Sequence, residues 1–351
     1  MADWLRTLEG KTGRAILSLP EGLLRFLSGG KKRNESGYLL DARIQMGLLL
    51  SRIHEATENL TPLHARKQLA ELLGHFDLEP EPLARLENLS IPGPENRRLR
   101  IRIYAPTCEA RLQPAMIYFH GGGYVIGDLE TNDSMLRLLA IESGLTIVSV
   151  DYRLAPEHPY PAGAEDGLVA YKWLLEHGKH LGIDASRMGL GGDSAGGNIV
   201  LYISLNAKRK RIKRPAFQAL IYPWVDLGNS AITDSSMIEM AEGFGLTGTM
   251  LDYFRRHAFP QNTDFESPLV SPCHAKKADL KALPPTFIQV CGFDPLRDQG
   301  LRLGSLMREA GATVQVRNYE SLIHGAINLA RTVPEAKQLI DDLGHYLLEI
   351  G

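Results

Sequence analysis

The sequence predicts an α/β protein with a mostly parallel central sheet, helices on both faces and a helical cap. Two observations carry that prediction. Short apolar runs at residues 115–119, 145–150, 216–222 and 286–290 read as strands buried on both sides, and segments of helical spacing at 134–141, 165–177 and 199–207 fall among them. The rhythm lapses over residues 1–90 and 224–265. The body is therefore assigned to 91–223 and 266–351, with 1–90 as an N-terminal helical cap segment and 224–265 as a cap insertion.

At 351 residues the chain can bury a large core, and 44% hydrophobic with 23% charged residues is ordinary for a globular protein. A formal net charge of -2 gives no electrostatic footprint for nucleic acid or an anionic membrane. Cys108, Cys273 and Cys291 cannot all pair, which suggests a reducing compartment, and Cys291 reads as a small core residue. The first residues lack the order of a secretion signal, and residues 15–27 are interrupted by Pro20, Glu21 and Arg25, so no stable membrane span and a cytoplasmic location are expected.

Taken in order, Trp4, Leu5 and Leu8 recur at helical spacing, as do Leu40, Ile44, Leu48 and Leu49, with a polar break at residues 29–34. The face formed by Leu23, Leu24 and Leu27 is expected to pack on its own protein rather than on a membrane or partner. Leu99, Ile101 and Ile103 alternate with Arg100, Arg102 and Tyr104, as on a strand with one wet face. The buried run 115–119 ends in His120-Gly121-Gly122-Gly123-Tyr124, where successive glycines let the backbone curl and aim N–H groups at one point. The proline-bearing stretch 151–161 reads as a fixed loop, which Glu157 and His158 are expected to brace.

Residues 187–190 form the next strand, followed by Gly192-Asp193-Ser194-Ala195-Gly196 and a helix. A strand, a glycine-flanked serine and a helix are the parts of a nucleophile elbow, which lifts the hydroxyl clear of the sheet beside free helix N–H groups. The competing dinucleotide-loop reading fails because the glycine pattern from Gly189 meets Ser194 where a glycine is required. The basic run 208–214 closes the following helix and reads as its solvated end. Within 224–265, Met237, Met240, Phe244 and Leu246 fit either the walls of an apolar substrate site or ordinary cap core, and a helix is expected over 249–259.

Asp294 lies just past the strand 286–290, on the edge that carries Ser194; Asp298, four residues on, suits the first turn of a helix. His324 follows a strand at 313–319 and completes the chain order Ser, Asp, His. Thr332 and Glu335 have capping-box spacing at the start of the last helix.

Together, His120 to Gly123, residues 151–161, Gly192 to Asn198, residues 294–298 and His324-Gly325 resemble the hormone-sensitive-lipase family of α/β-hydrolase esterases, in its bacterial branch with a GDSAGG-type elbow. The resemblance covers about residues 85–351. It implies the α/β-hydrolase fold, with Ser194 as nucleophile, Asp294 and His324 as its partners, and N–H groups of Gly121, Gly122 and Ala195 as the oxyanion hole. It further implies a helical cap, short to medium acyl esters as substrates, and homodimers in many members. Expected substrate contacts are Tyr124, Asp193 and Tyr222. No cofactor or metal is called for; His177 and His180 lack an accompanying ligand cluster. Two departures stand out: Ala326 occupies a position often aromatic after His-Gly, and the first 35 or so residues exceed the usual cap. The rival readings are an amidase or peptidase with the same triad, and a non-catalytic small-molecule receptor on the same fold; the presence of His324 favours an enzyme.

Overall fold

The computed structural model describes residues 12–76, 78–108 and 111–350. Eight strands form one sheet: β1 (Arg85–Pro92), β2 (Arg98–Ala105), β3 (Gln113–Phe119), β4 (Thr146–Asp151), β5 (Ile183–Asp193), β6 (Gln218–Ile221), β7 (Thr286–Phe293) and β8 (Val314–Ile323). Their spatial order is β1-β2-β4-β3-β5-β6-β7-β8; β1 and β2 pair antiparallel with their neighbours, and every pairing from β4 onward is parallel.

The continuous apolar runs follow from burial on both faces. On β3, Ala115, Ile117 and Phe119 enter one core while Met116 and Tyr118 enter the other; on β7, Ile288 and Val290 oppose Phe287, Cys291 and Phe293. The first core is closed by helices Ala162–His177 and Ala195–Arg209, with Leu303 and Met307 of Arg297–Glu309. The second is closed by Asp133–Ser143 and Pro334–Ile350, which pack on each other. Among the described residues no helix is long and apolar enough to cross a membrane.

Ahead of the sheet, after a helical stretch at residues 12–17, lie α1 (Glu21–Leu27), α2 (Ala42–Leu50) and α3 (Pro62–Phe76). Trp4, Leu5 and Leu8 fall outside the described residues. Leu40 precedes α2 instead of belonging to it, because Asp41 accepts hydrogen bonds from the N–H groups of Arg43 and Ile44 and starts the helix there. The expected apolar face of α1 is only partly covered: Leu24 is fully buried against Ala42 and Met46, while Leu23 and Leu27 are exposed. Asn34 Nδ2 donates to Gly292 O at 3.0 Å, and Asp41 N–H to Ser321 O at 3.1 Å, stitching this segment to the ends of β7 and β8.

Residues 224–265 fold as two short helical turns, Asn229–Ile232 and Ser235–Glu239, and α4 (Gly248–Ala258), one residue from the helix expected. The capping box at the last helix does not form. The helix starts at Pro334, past Thr332, and Glu335 accepts from the N–H (3.0 Å) and hydroxyl of Ser321.

The loop 151–161 is braced across the molecule. Arg66 of α3 donates to Val125 O, Ala155 O and both carboxylate oxygens of Glu157, each at 2.7–2.8 Å, and His158 Nε2 pairs with Arg97. The Arg66 guanidinium holds the Glu157 carboxyl down at about 2. A folded-state value below the unfolded one of roughly 4.3 means that the contribution is complete above that value and fades as pH falls towards the folded one. Glu157 is half-exposed, so the effect is bounded at about 1 kcal/mol. Glu157→Gln should lower Tm slightly near neutrality, and the deficit should vanish between roughly pH 5 and 2; calorimetry across that range measures it.

Candidate active site

The elbow is where the backbone is most constrained. Ser194 follows β5 with φ +55° and ψ -120°, a positive φ that L residues adopt only when their surroundings enforce it. The close approach explains the glycines. A Cβ on Gly192 would lie 2.5 Å from Gly196 C, and one on Gly196 only 2.0 Å from Phe119 O. The helix after Ser194 starts at once with Ala195, four residues earlier than expected, because only the small residues 195–197 let it pack so close.

Ser194, Asp294 and His324 stand beyond the carboxyl ends of β5, β7 and β8 and meet there. Asp294 Oδ2 lies 2.8 Å from His324 Nδ1, and His324 Nε2 lies 2.9 Å from Ser194 Oγ. A carboxylate can only accept, so Nδ1 carries the proton and Nε2 is left to accept from the serine hydroxyl. Asp294 is wholly buried, and its other oxygen accepts the Leu296 N–H at 2.8 Å. Tyr222 backs the imidazole, ring centroids 4.6 Å apart. This series joins a nucleophile, a base within reach of its proton, and a carboxylate that orients the base. Asp298 is directed elsewhere, accepting from Ser236 N–H at 2.8 Å and from Arg297.

The glycine loop lies alongside, after β3. Gly121 corrects the expected oxyanion set: its N–H donates to Asp193 Oδ1 at 2.9 Å and is not free for a ligand. Among the described residues the N–H groups of Gly122, Gly123 and Ala195 have no acceptor. Gly122 and Gly123 have φ of +105° and +59°, and side chains there would strike Ile126 O and the Phe254 ring. His120, fully buried with its protonation disfavoured by desolvation, stacks on Tyr152 at 4.3 Å, and Tyr152 Oη donates to His120 O at 2.8 Å.

The three expected substrate contacts are buried, as Ser194 is, and pack against other parts of the protein. Asp193, 6% exposed, accepts from Tyr118 Oη at 2.8 Å as well as from Gly121; burial raises its pKa, and these donors oppose the rise. Tyr124, 2% exposed, donates to Asn198 Oδ1 at 2.7 Å and meets Tyr160 and Phe259 edge-on. Tyr222, 1% exposed, serves the imidazole. Two supports were missed in the sequence. Asn198 donates to Trp224 O and Val270 O, both at 2.8 Å, tying the elbow to two later loops; a polar residue inside the motif was the available signal. Tyr118 carried no signal, since its strand position reads as core.

A family model described as the α/β-hydrolase fold matches residues 116–328. The chain is similar to the esterase LipI of Mycobacterium tuberculosis, 40% identical over 263 residues that span 73% of this chain and 79% of that protein. It is also similar to the carboxylic ester hydrolase LipN of the same organism, 34% identical over 338 residues, 93% of this chain and 88% of that one. Among solved structures, an ester hydrolase from the metagenome of Lake Arreo, complexed with a bipyridine phosphonate derivative, superposes with a TM-score of 0.83 at 34% identity, covering 87% of this chain and 96% of the other.

Proposed function

The chain belongs to the hormone-sensitive-lipase family of α/β-hydrolase esterases, and from that premise we propose that it is a serine carboxylesterase acting on short- to medium-chain acyl esters through an acyl-enzyme. The observation that carries this reading is the 2.8 Å and 2.9 Å pair of contacts running from Asp294 through His324 to Ser194. In the first half-reaction His324 Nε2 removes the Ser194 proton as Oγ attacks the ester carbonyl, and Asp294 stabilises the imidazolium that forms. The N–H groups of Ala195 and Gly122 receive the tetrahedral oxyanion, with Gly123 in the place first given to Gly121. Removal of one such donor typically costs about 3 kcal/mol. His324 then returns the proton to the leaving alcohol, and water repeats the sequence on the acyl group. The N-terminal helices and residues 224–265 form the cap above the site.

A fluorophosphonate probe tests the nucleophile directly. Intact protein treated with it should lose activity towards p-nitrophenyl butyrate in proportion to labelling, and peptide mass spectrometry should find the adduct on Ser194. An adduct on any other residue with full loss of activity rules out the assignment. Matched ester and anilide substrates separate an esterase from an amidase, and faster ester turnover is expected.

A further inference from the structure

The chain-wide charge of -2 conceals a sharp division. Residues 208–214 and 276–282 together hold nine Lys or Arg against one Asp, so the rest of the chain carries a net -10. The fold joins these two segments. Lys208 Nζ donates to Ala278 O at 2.7 Å and to Asp279 at 2.8 Å, and Arg214 reaches Ala282 O at 3.4 Å. All nine cations are exposed, and Asp279, the carboxylate among them, is already taken by Lys208. Alongside, Lys213 Nζ donates to Ala185 O at 2.9 Å, where the neighbouring Asp184 is matched by Arg187. A solvated helix end accounts for only two of the nine. Lys208 and Arg209 lie in the last turn of Ala195–Arg209, and a helix dipole acts no further than that turn. The other seven repel their neighbours and gain nothing from the dipole.

We infer that this basic face docks the protein on an anionic lipid bilayer, with the candidate active site turned towards the water. Residues 208–214 lead into β6 and 276–282 into β7, so the patch stands at the amino ends of those strands, on the edge opposite Ser194, Asp294 and His324. Nucleic acid fits this face less well. A duplex is read by a helix or ribbon laid in a groove, and the helix here, Lys277–Leu280, has four residues. A single strand needs rings to stack on, and neither segment holds an aromatic residue. A bilayer asks only for dense positive charge on an accessible face, each Lys or Arg near the surface adding about fivefold in affinity. Neither segment exposes a large apolar side chain, so the contact is electrostatic, without insertion, and reversible by salt. Nothing in this docking depends on the reaction assigned to Ser194.

Sedimentation with vesicles of phosphatidylcholine and phosphatidylglycerol tests the docking. At low salt the full chain should bind these vesicles and ignore pure phosphatidylcholine, and binding should be lost by about 0.5 M salt. Replacing Lys210, Lys277 and Lys281 together by Gln should weaken binding on the order of a hundredfold. Replacing the exposed Lys31, Arg52 and Lys67 by Gln makes the same change in net charge on the N-terminal helical segment, and should leave binding within about twofold. Lysine acetylation read by peptide mass spectrometry needs no variant: vesicles should protect Lys210, Lys276 and Lys277 but not Lys31 or Lys67. Vesicle-bound protein should hydrolyse p-nitrophenyl butyrate within about twofold of the free rate, as an outward-facing site requires. No binding to the anionic vesicles, equal weakening in the two triple variants, or protection centred on Lys31 and Lys67 overturns the inference. So does tighter binding to a duplex or single-stranded oligonucleotide than to the vesicles at equal phosphate. Loss of hydrolysis on binding overturns the outward orientation.

Discussion

Ser194→Ala is expected to remain folded and to hydrolyse p-nitrophenyl butyrate at least ~10⁴-fold more slowly than the parent chain. The loss is large because the Ser194 oxygen is the atom that bonds to the acyl group, and the hydrogen bonds of the described residues place no other hydroxyl or thiol to give its proton to His324 Nε2. Folding should survive, because alanine fits wherever serine fits and inherits the same φ of +55°. Residual turnover from N–H groups aimed at the oxyanion is expected, and its level measures what those groups achieve alone. Retention of more than about a tenth of the parent rate, with Tm preserved, means that Ser194 is not the nucleophile.

The second large effect separates two carboxylates four residues apart. Asp294→Asn should lower kcat by about 10⁴-fold, because an amide at that place offers its N–H₂ to Nδ1 and favours the tautomer in which Nε2 can no longer accept the Ser194 proton. Asp298→Asn should cost less than about tenfold in kcat and about 1 kcal/mol in stability, since its carboxylate holds Ser236 and Arg297 and never approaches the imidazole. Parallel kinetics and thermal melts decide the matter. Greater loss of activity in the Asp298 variant would reverse the assignment.

Much of this was legible in the chain. The sheet could be read because both its faces are covered, which forces strands such as 115–119 to be apolar throughout. Ser194, Asp294 and His324 could be placed because each follows a strand and parallel strands end on one edge. What failed was local geometry. Gly121 and Gly122 look alike as letters, but only the fold brings Asp193 round to claim the first N–H. Tyr124, Asp193 and Tyr222 adjoin the motifs in sequence, and that adjacency says nothing of which way a side chain turns; all three turn inward. The Thr332–Glu335 spacing suited a capping box, but the helix starts two residues after Thr332 and Ser321, brought near by β8, bonds Glu335 instead. Asn198 lay inside the elbow motif, yet its acceptors at positions 224 and 270 come from loops that only the tertiary structure brings near.

The bonds from Asn34 to Gly292 and from Asp41 to Ser321 have a biosynthetic consequence. Asn34 is fastened to a strand end made 258 residues after it, next to the acid and the imidazole. Domains tend to fold from the N-terminus as they are made, but here α1 and α2 must wait for β7 and β8 before these bonds can form. The site stays incomplete until those two strands have been made, and during that wait the apolar side chains of α1 and α2 are what a chaperone would meet.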